Sequence, residues 1–95
     1  MEVTKQGWGQ KITLETGIDI TGATQIKMLF KPPNDDEVVV TGTCADTTVG
    51  DVYWTSTAGF WTVAGVWRAL ARIRFDTDEL IYTRPVAFTV VDQFA

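Results

Sequence analysis

A chain of 95 residues with 45% apolar residues, four Trp and five Phe has room for one domain with one core built from large side chains. Its net charge of −4, from twelve acids against eight cations, argues against nucleic acid as a partner, and a lone cysteine excludes an internal disulfide and any cysteine-based zinc cluster. The absence of His removes Ser-His and Cys-His dyads and the commonest transition-metal ligand, so no catalytic residue, metal or cofactor is expected and the chain reads as a non-enzyme.

The polar segment from Met1 to Lys11 contains no apolar run of the signal-peptide kind, and no stretch of the chain is long and apolar enough to span a bilayer. Synthesis in the cytoplasm without a membrane partner is the expectation. Residues 1–10 read as an N-terminal arm or edge segment. Within it, Gly7-Trp8-Gly9 lacks the further glycine, the Lys and the following helix of a phosphate-cradling loop.

From Lys11 onward the apolar pattern repeats every two residues, and Thr and Val are abundant where a helix would favour Ala, Leu or Glu. Strands are predicted at Lys11–Glu15, Thr24–Lys31, Glu37–Thr43, Asp51–Thr55, Gly65–Phe75, Leu80–Thr83 and Val86–Val91. Turn residues separate them at short intervals: Thr16-Gly17, Thr21-Gly22, Pro32 to Asp36, Val49-Gly50-Asp51, Ala58-Gly59 and Asp76 to Glu79. Together these predict a single all-β domain over residues 1–95, an antiparallel β-sandwich of about seven strands. The acidic runs Asp35-Asp36-Glu37 and Asp76-Thr77-Asp78-Glu79 read as solvated turns, not calcium loops. Cys44, with no basic neighbour in sequence, reads as a small buried hydrophobe.

Alternation also predicts faces. Ile26, Met28 and Phe30 share the core side of their strand, and Trp67, Ala69, Ala71, Ile73 and Phe75 that of the longest one. The small Ala69 and Ala71 leave room for large neighbours. The same parity turns Leu29, Leu70, Arg68, Arg72, Arg74, Val91 and either Val39 or Val40 outward. Arg around an apolar residue on an outward strand resembles a protein-interface patch. Phe60 and Trp61 fall in a connecting loop, where they either cap an open end of the sandwich or contact a partner. Trp8, Leu29, Phe60, Trp61, Arg68, Leu70 and Arg72 are therefore the candidate partner-binding residues.

The run from Gln6 to Thr24, with Gly9, Lys11-Ile12, Leu14, Thr16-Gly17, Asp19-Ile20-Thr21-Gly22-Ala23-Thr24, followed by Ile26-Lys27 and Lys31-Pro32, resembles a group of small tailed-bacteriophage proteins. Ala64-Gly65-Val66-Trp67 and Pro85-Val86-Ala87-Phe88-Thr89-Val90 continue the resemblance, which extends to the N-terminal domains of some phage baseplate proteins. The resemblance implies an immunoglobulin-like sandwich serving as a virion structural protein of the tail, baseplate or neck. Its partners would be other virion proteins in multiple copies, met by protein–protein contact. A capsid decoration or head-fibre protein is the alternative within virions. A carbohydrate or receptor-binding module is the alternative outside that class, with Trp8, Phe60 or Trp61 stacked on a host-surface glycan.

Overall fold

The computed structural model describes residues 2–34, 36–76 and 79–92. Among them are nine strands and no helix: β1 (Glu2–Thr4), β2 (Lys11–Glu15), β3 (Ala23–Lys31), β4 (Val38–Thr41), β5 (Thr43–Cys44), β6 (Asp51–Thr55), β7 (Gly65–Phe75), β8 (Leu80–Tyr82) and β9 (Val86–Val91). They form two sheets. A six-stranded sheet runs β1-β9-β7-β3-β4, with β8 also on β7, and a three-stranded sheet runs β2-β6-β5. The all-β, immunoglobulin-like sandwich is the fold of this chain.

Two features differ from the sequence expectation. The arm at the N-terminus contains β1, which pairs with β9 in parallel, Val3 beside Val90, so the sandwich is not wholly antiparallel. The single strand expected over Glu37–Thr43 is two short ones, because Gly42 carries the chain from the larger sheet to the smaller. A Cβ at Gly42 would lie 2.7 Å from a Val52 methyl and 3.2 Å from Met28 Cγ, so the crossing fits only a residue without a side chain. Asp35, Thr77 and Asp78 lie outside the described residues; Asp36, Asp76 and Glu79 beside them are exposed.

The core between the sheets is aromatic. Phe30 sits at its centre, with ring centroids 5.4 Å from Trp54, 5.2 Å from Phe60, 5.9 Å from Trp61 and 6.4 Å from Phe88. Ala69 stands opposite Phe30 and Ala71 opposite Met28 across the β3–β7 ladder, so small residues on one strand make room for large ones on the next. Trp67 is buried, and its indole N–H donates to the Val63 carbonyl at 2.9 Å. Val3, Ile12, Leu14, Ile20, Val52, Ile73 and Val90 complete the core. Cys44 is half-buried against it, its thiol 3.3 Å from the Asp46 carbonyl oxygen.

One end of the sandwich is tied by two turns of the same sequence pattern. In Asp19-Ile20-Thr21 and Asp46-Thr47-Thr48 the carboxylate accepts from the threonine N–H and hydroxyl two residues on, at 2.8 and 2.6 Å in the first and 3.0 and 2.6 Å in the second. The turns are joined by Ile20 N–H donating to the Thr47 carbonyl at 2.8 Å. The hydroxyl of Thr21, then its N–H, holds the Asp19 carboxyl below its ordinary value of 3.8, and Thr48 acts likewise on Asp46.

Candidate binding face on the larger sheet

The outer face of the larger sheet is built by parity. Inward Ile26, Met28 and Phe30 on β3 force Lys27, Leu29 and Lys31 to the other side, and inward Trp67, Ala69, Ala71 and Ile73 on β7 do the same for Arg68, Leu70, Arg72 and Arg74. Register then assembles rows that cross the strands. The central row is apolar: Val39 on β4 opposes Leu29 on β3, and Leu29 opposes Leu70 on β7. On one side of it lies Lys31 opposite Arg68. On the other side Thr41, Lys27, Arg72 and Tyr82 stand in one line across four strands. Arg74, opposite Gln25, adds a further cation.

A depression of about 130 Å³ opens at the centre of this face, lined by Leu29, Leu70, Pro85 and the backbone between them, with Lys31, Arg68 and Glu37 at its rim. Its cause is topological. Strand β9 pairs with Gly65–Ala69 and β8 with Arg72–Arg74 on the same edge of β7, so the chain joining them passes beside Leu70 instead of extending the sheet. Thr83 secures that passage, its N–H donating to the Ala71 carbonyl at 3.0 Å and its hydroxyl accepting from the Ala71 N–H at 2.9 Å. Pro85, with no N–H to offer a neighbour, suits a position off the ladder.

The face concentrates charge. Lys27, Lys31, Arg68, Arg72 and Arg74 are five of the eight cations in the chain, and one of the twelve acids, Glu37, lines the depression among them. Lys27 donates to the Thr41 hydroxyl at 2.9 Å, and Arg68, Arg72 and Arg74 form no ion pair among the described residues. Arg68, which lines the depression, and Arg74 are exposed, and Arg72 in the next row is half-buried.

The structure thus brings together four of the residues expected to contact a partner, Leu29, Arg68, Leu70 and Arg72, and resolves the choice on β4 in favour of Val39, since Val40 faces Met28 in the core layer. It corrects the expected setting of Leu29, Trp61 and Phe60. Leu29 keeps its outward direction but is only 8% exposed, with Lys27 and Lys31 beside it along its strand and Val39 and Leu70 opposite it; it is the floor of the face, not a projecting contact. Trp61 is 2% exposed, with Trp67 and Phe88 at 5.2 and 5.7 Å, so it is a core residue that closes the end of the sandwich. Phe60 packs beside it, 4.5 Å from Trp54. Among the described residues the Trp61 indole N–H has no hydrogen-bond acceptor, and its ring lies among those of Phe30, Phe60, Trp67 and Phe88. Trp8 is 71% exposed in the β1–β2 connection.

A second depression, of about 340 Å³, lies on the outer face of the smaller sheet, lined by Lys11, Thr13, Ala45, Asp46, Val49, Asp51 and Tyr53. Here Lys11 sits over the Tyr53 ring at 4.2 Å, and Glu15 opposes Asp51 across the β2–β6 ladder. Among the described residues no group of three or more His, Cys, Asp or Glu side chains is placed to hold a metal ion.

Neither a protein-family model nor a curated protein matches the chain. Among solved structures it is similar to CopC from Methylosinus trichosporium OB3b, with a TM-score of 0.63 and 10% identity over 97% of this chain and 85% of that one. That likeness is one of fold. It corrects the expectation of a virion structural protein of tail, baseplate or neck, and the capsid-decoration alternative with it: the fold leads to CopC and not to a phage protein.

Proposed function

We propose that this chain is a non-catalytic binding module that recognises an acidic protein surface through the outer face of its larger sheet. The observation that carries the reading is the pair of like-charge matches in register, Lys27 opposite Arg72 and Lys31 opposite Arg68, on either side of the Leu29–Leu70 pair. Like charges directly opposite one another destabilise a sheet, and a face selected for folding alone would alternate signs there. Departures of this kind belong where a surface serves something outside the fold. A central apolar depression with Arg68 in its lining and Arg72 in the next row has the composition of an interface centre, and guanidinium groups bind carboxylates in a bidentate fork. Nucleic acid is disfavoured by the net charge of −4.

The test is a binding titration with immobilised peptides in which Leu or Val is flanked by Asp and Glu, against matched peptides carrying Asn and Gln, with duplex DNA as a control. Wild-type protein should prefer the acidic series, and Arg68→Gln with Arg72→Gln should remove that preference. Equal binding to both peptide series, or tighter binding to the DNA, would overturn the proposal.

A further inference from the structure

The acidic surface that matches the basic face belongs to the same chain. On the outer face of the smaller sheet, Glu15 opposes Asp51 in register, the acidic counterpart of the like-charge pairs on the other side. Asp46 joins Asp51 in the lining of the depression there, and Val49, 53% exposed, stands among them as an apolar side chain with no cover. One outer face therefore offers an apolar depression lined by Lys31, Arg68 and Glu37, with Lys27 and Arg72 in the neighbouring row, and the opposite outer face offers an exposed valine among Asp46, Asp51 and Lys11, with Glu15 opposite Asp51. Each sheet holds a like-charge pair in register, Lys27 with Arg72 on one and Glu15 with Asp51 on the other, whose repulsion is relieved when the two kinds of face meet.

We propose that a second copy of this chain is the occupant of the basic face, with the smaller sheet of one copy docked on the larger sheet of the next. This rests on the binding-module reading and names its partner. The two faces lie on opposite sides of the sandwich, so the contact is heterologous: it does not close in a two-fold dimer, and copies add head to tail in a stack. The contact is salt-sensitive because it brings together largely exposed charges.

The experiment is sedimentation velocity on the full chain at low and high ionic strength, with two variants. One carries Arg68→Gln and Arg72→Gln, the other Glu15→Gln and Asp51→Asn. Both variants remove like-charge repulsion within a sheet, so both should fold with melting midpoints at or above wild type. Wild type should form a concentration-dependent series of species at low salt that collapses to monomer at ~1 M salt, where the Debye length is about 3 Å. Each variant alone should remain monomeric. Mixed, they should give one-to-one complexes and nothing larger, since each retains one working face. Wild type that stays monomeric at low salt, or association that survives either pair of substitutions, overturns the inference. If wild type is monomeric yet binds acidic peptides through Arg68 and Arg72, the self-partner falls and the binding-module reading stands. Loss of both results removes both.

Discussion

Trp61 and Trp67 show how far a single residue can be read from its sequence position. Trp67 begins the inward-facing series of an eleven-residue strand, and that periodicity alone places it in the core, where it is 1% exposed. Trp61 lies in a nine-residue connection with no period, so its sequence context left core and partner contact equally open; only the ring contacts to Phe30, Trp67 and Phe88 decide it. Large-to-small replacement at such a site costs about 3–5 kcal/mol, a large share of the roughly 5–15 kcal/mol that holds a domain together. Trp61→Ala should therefore lower the melting midpoint by about 12 °C or more, much as Trp67→Ala does. A Trp61→Ala variant with the wild-type midpoint would return that side chain to the surface.

At the scale of elements, alternation located β2, β6, β7 and β9 with the bounds the structure has, because each has one face on the core and one in water. It missed β1, three residues whose partner β9 lies at the far end of the chain and pairs in parallel, which leaves no local signature. It also gave the outward direction of Leu29, Leu70, Arg68 and Arg72. It could not give their mutual register, and register is what turns scattered outward residues into an apolar row between two basic ones. The paired Asp-x-Thr turns were legible only as turn chemistry, yet they make the end of the sandwich sensitive to acid. Both carboxyls have folded-state values below the ordinary 3.8, so their contribution is complete above that value and is lost as pH falls through the lower folded one. Over a fall from pH about 5 to about 2, the wild-type midpoint should drop more steeply than that of a variant carrying Asp19→Asn and Asp46→Asn. Parallel curves for the two proteins would show that the turns do not couple to folding.

For the whole molecule, the arrangement of charge matters more than its sum. A net charge of −4 describes a mildly acidic protein, whereas the fold sorts five cations onto one outer face and sets Glu15, Asp46 and Asp51 on the other. Within each face the neighbours repel, and unfolding separates them. Screening should then act with opposite signs on two properties of the same protein. Raising ionic strength from ~0.01 M, where the Debye length is about 30 Å, to ~0.15 M, where it is about 8 Å, weakens repulsion within the faces and attraction between them. The melting midpoint of the dilute monomer should rise over that range while affinity for an acidic partner falls. Neutralising Arg68 and Arg72 should flatten both responses, because the same two guanidinium groups contribute to the strain within the sheet and to the attraction outside it. Scanning calorimetry beside a binding titration, over one salt series, measures both. A midpoint that falls with added salt would mean that attractions between the faces' charges and the surrounding acids outweigh repulsion within the rows, and the basic face would then be an internally compensated surface with no need of a partner.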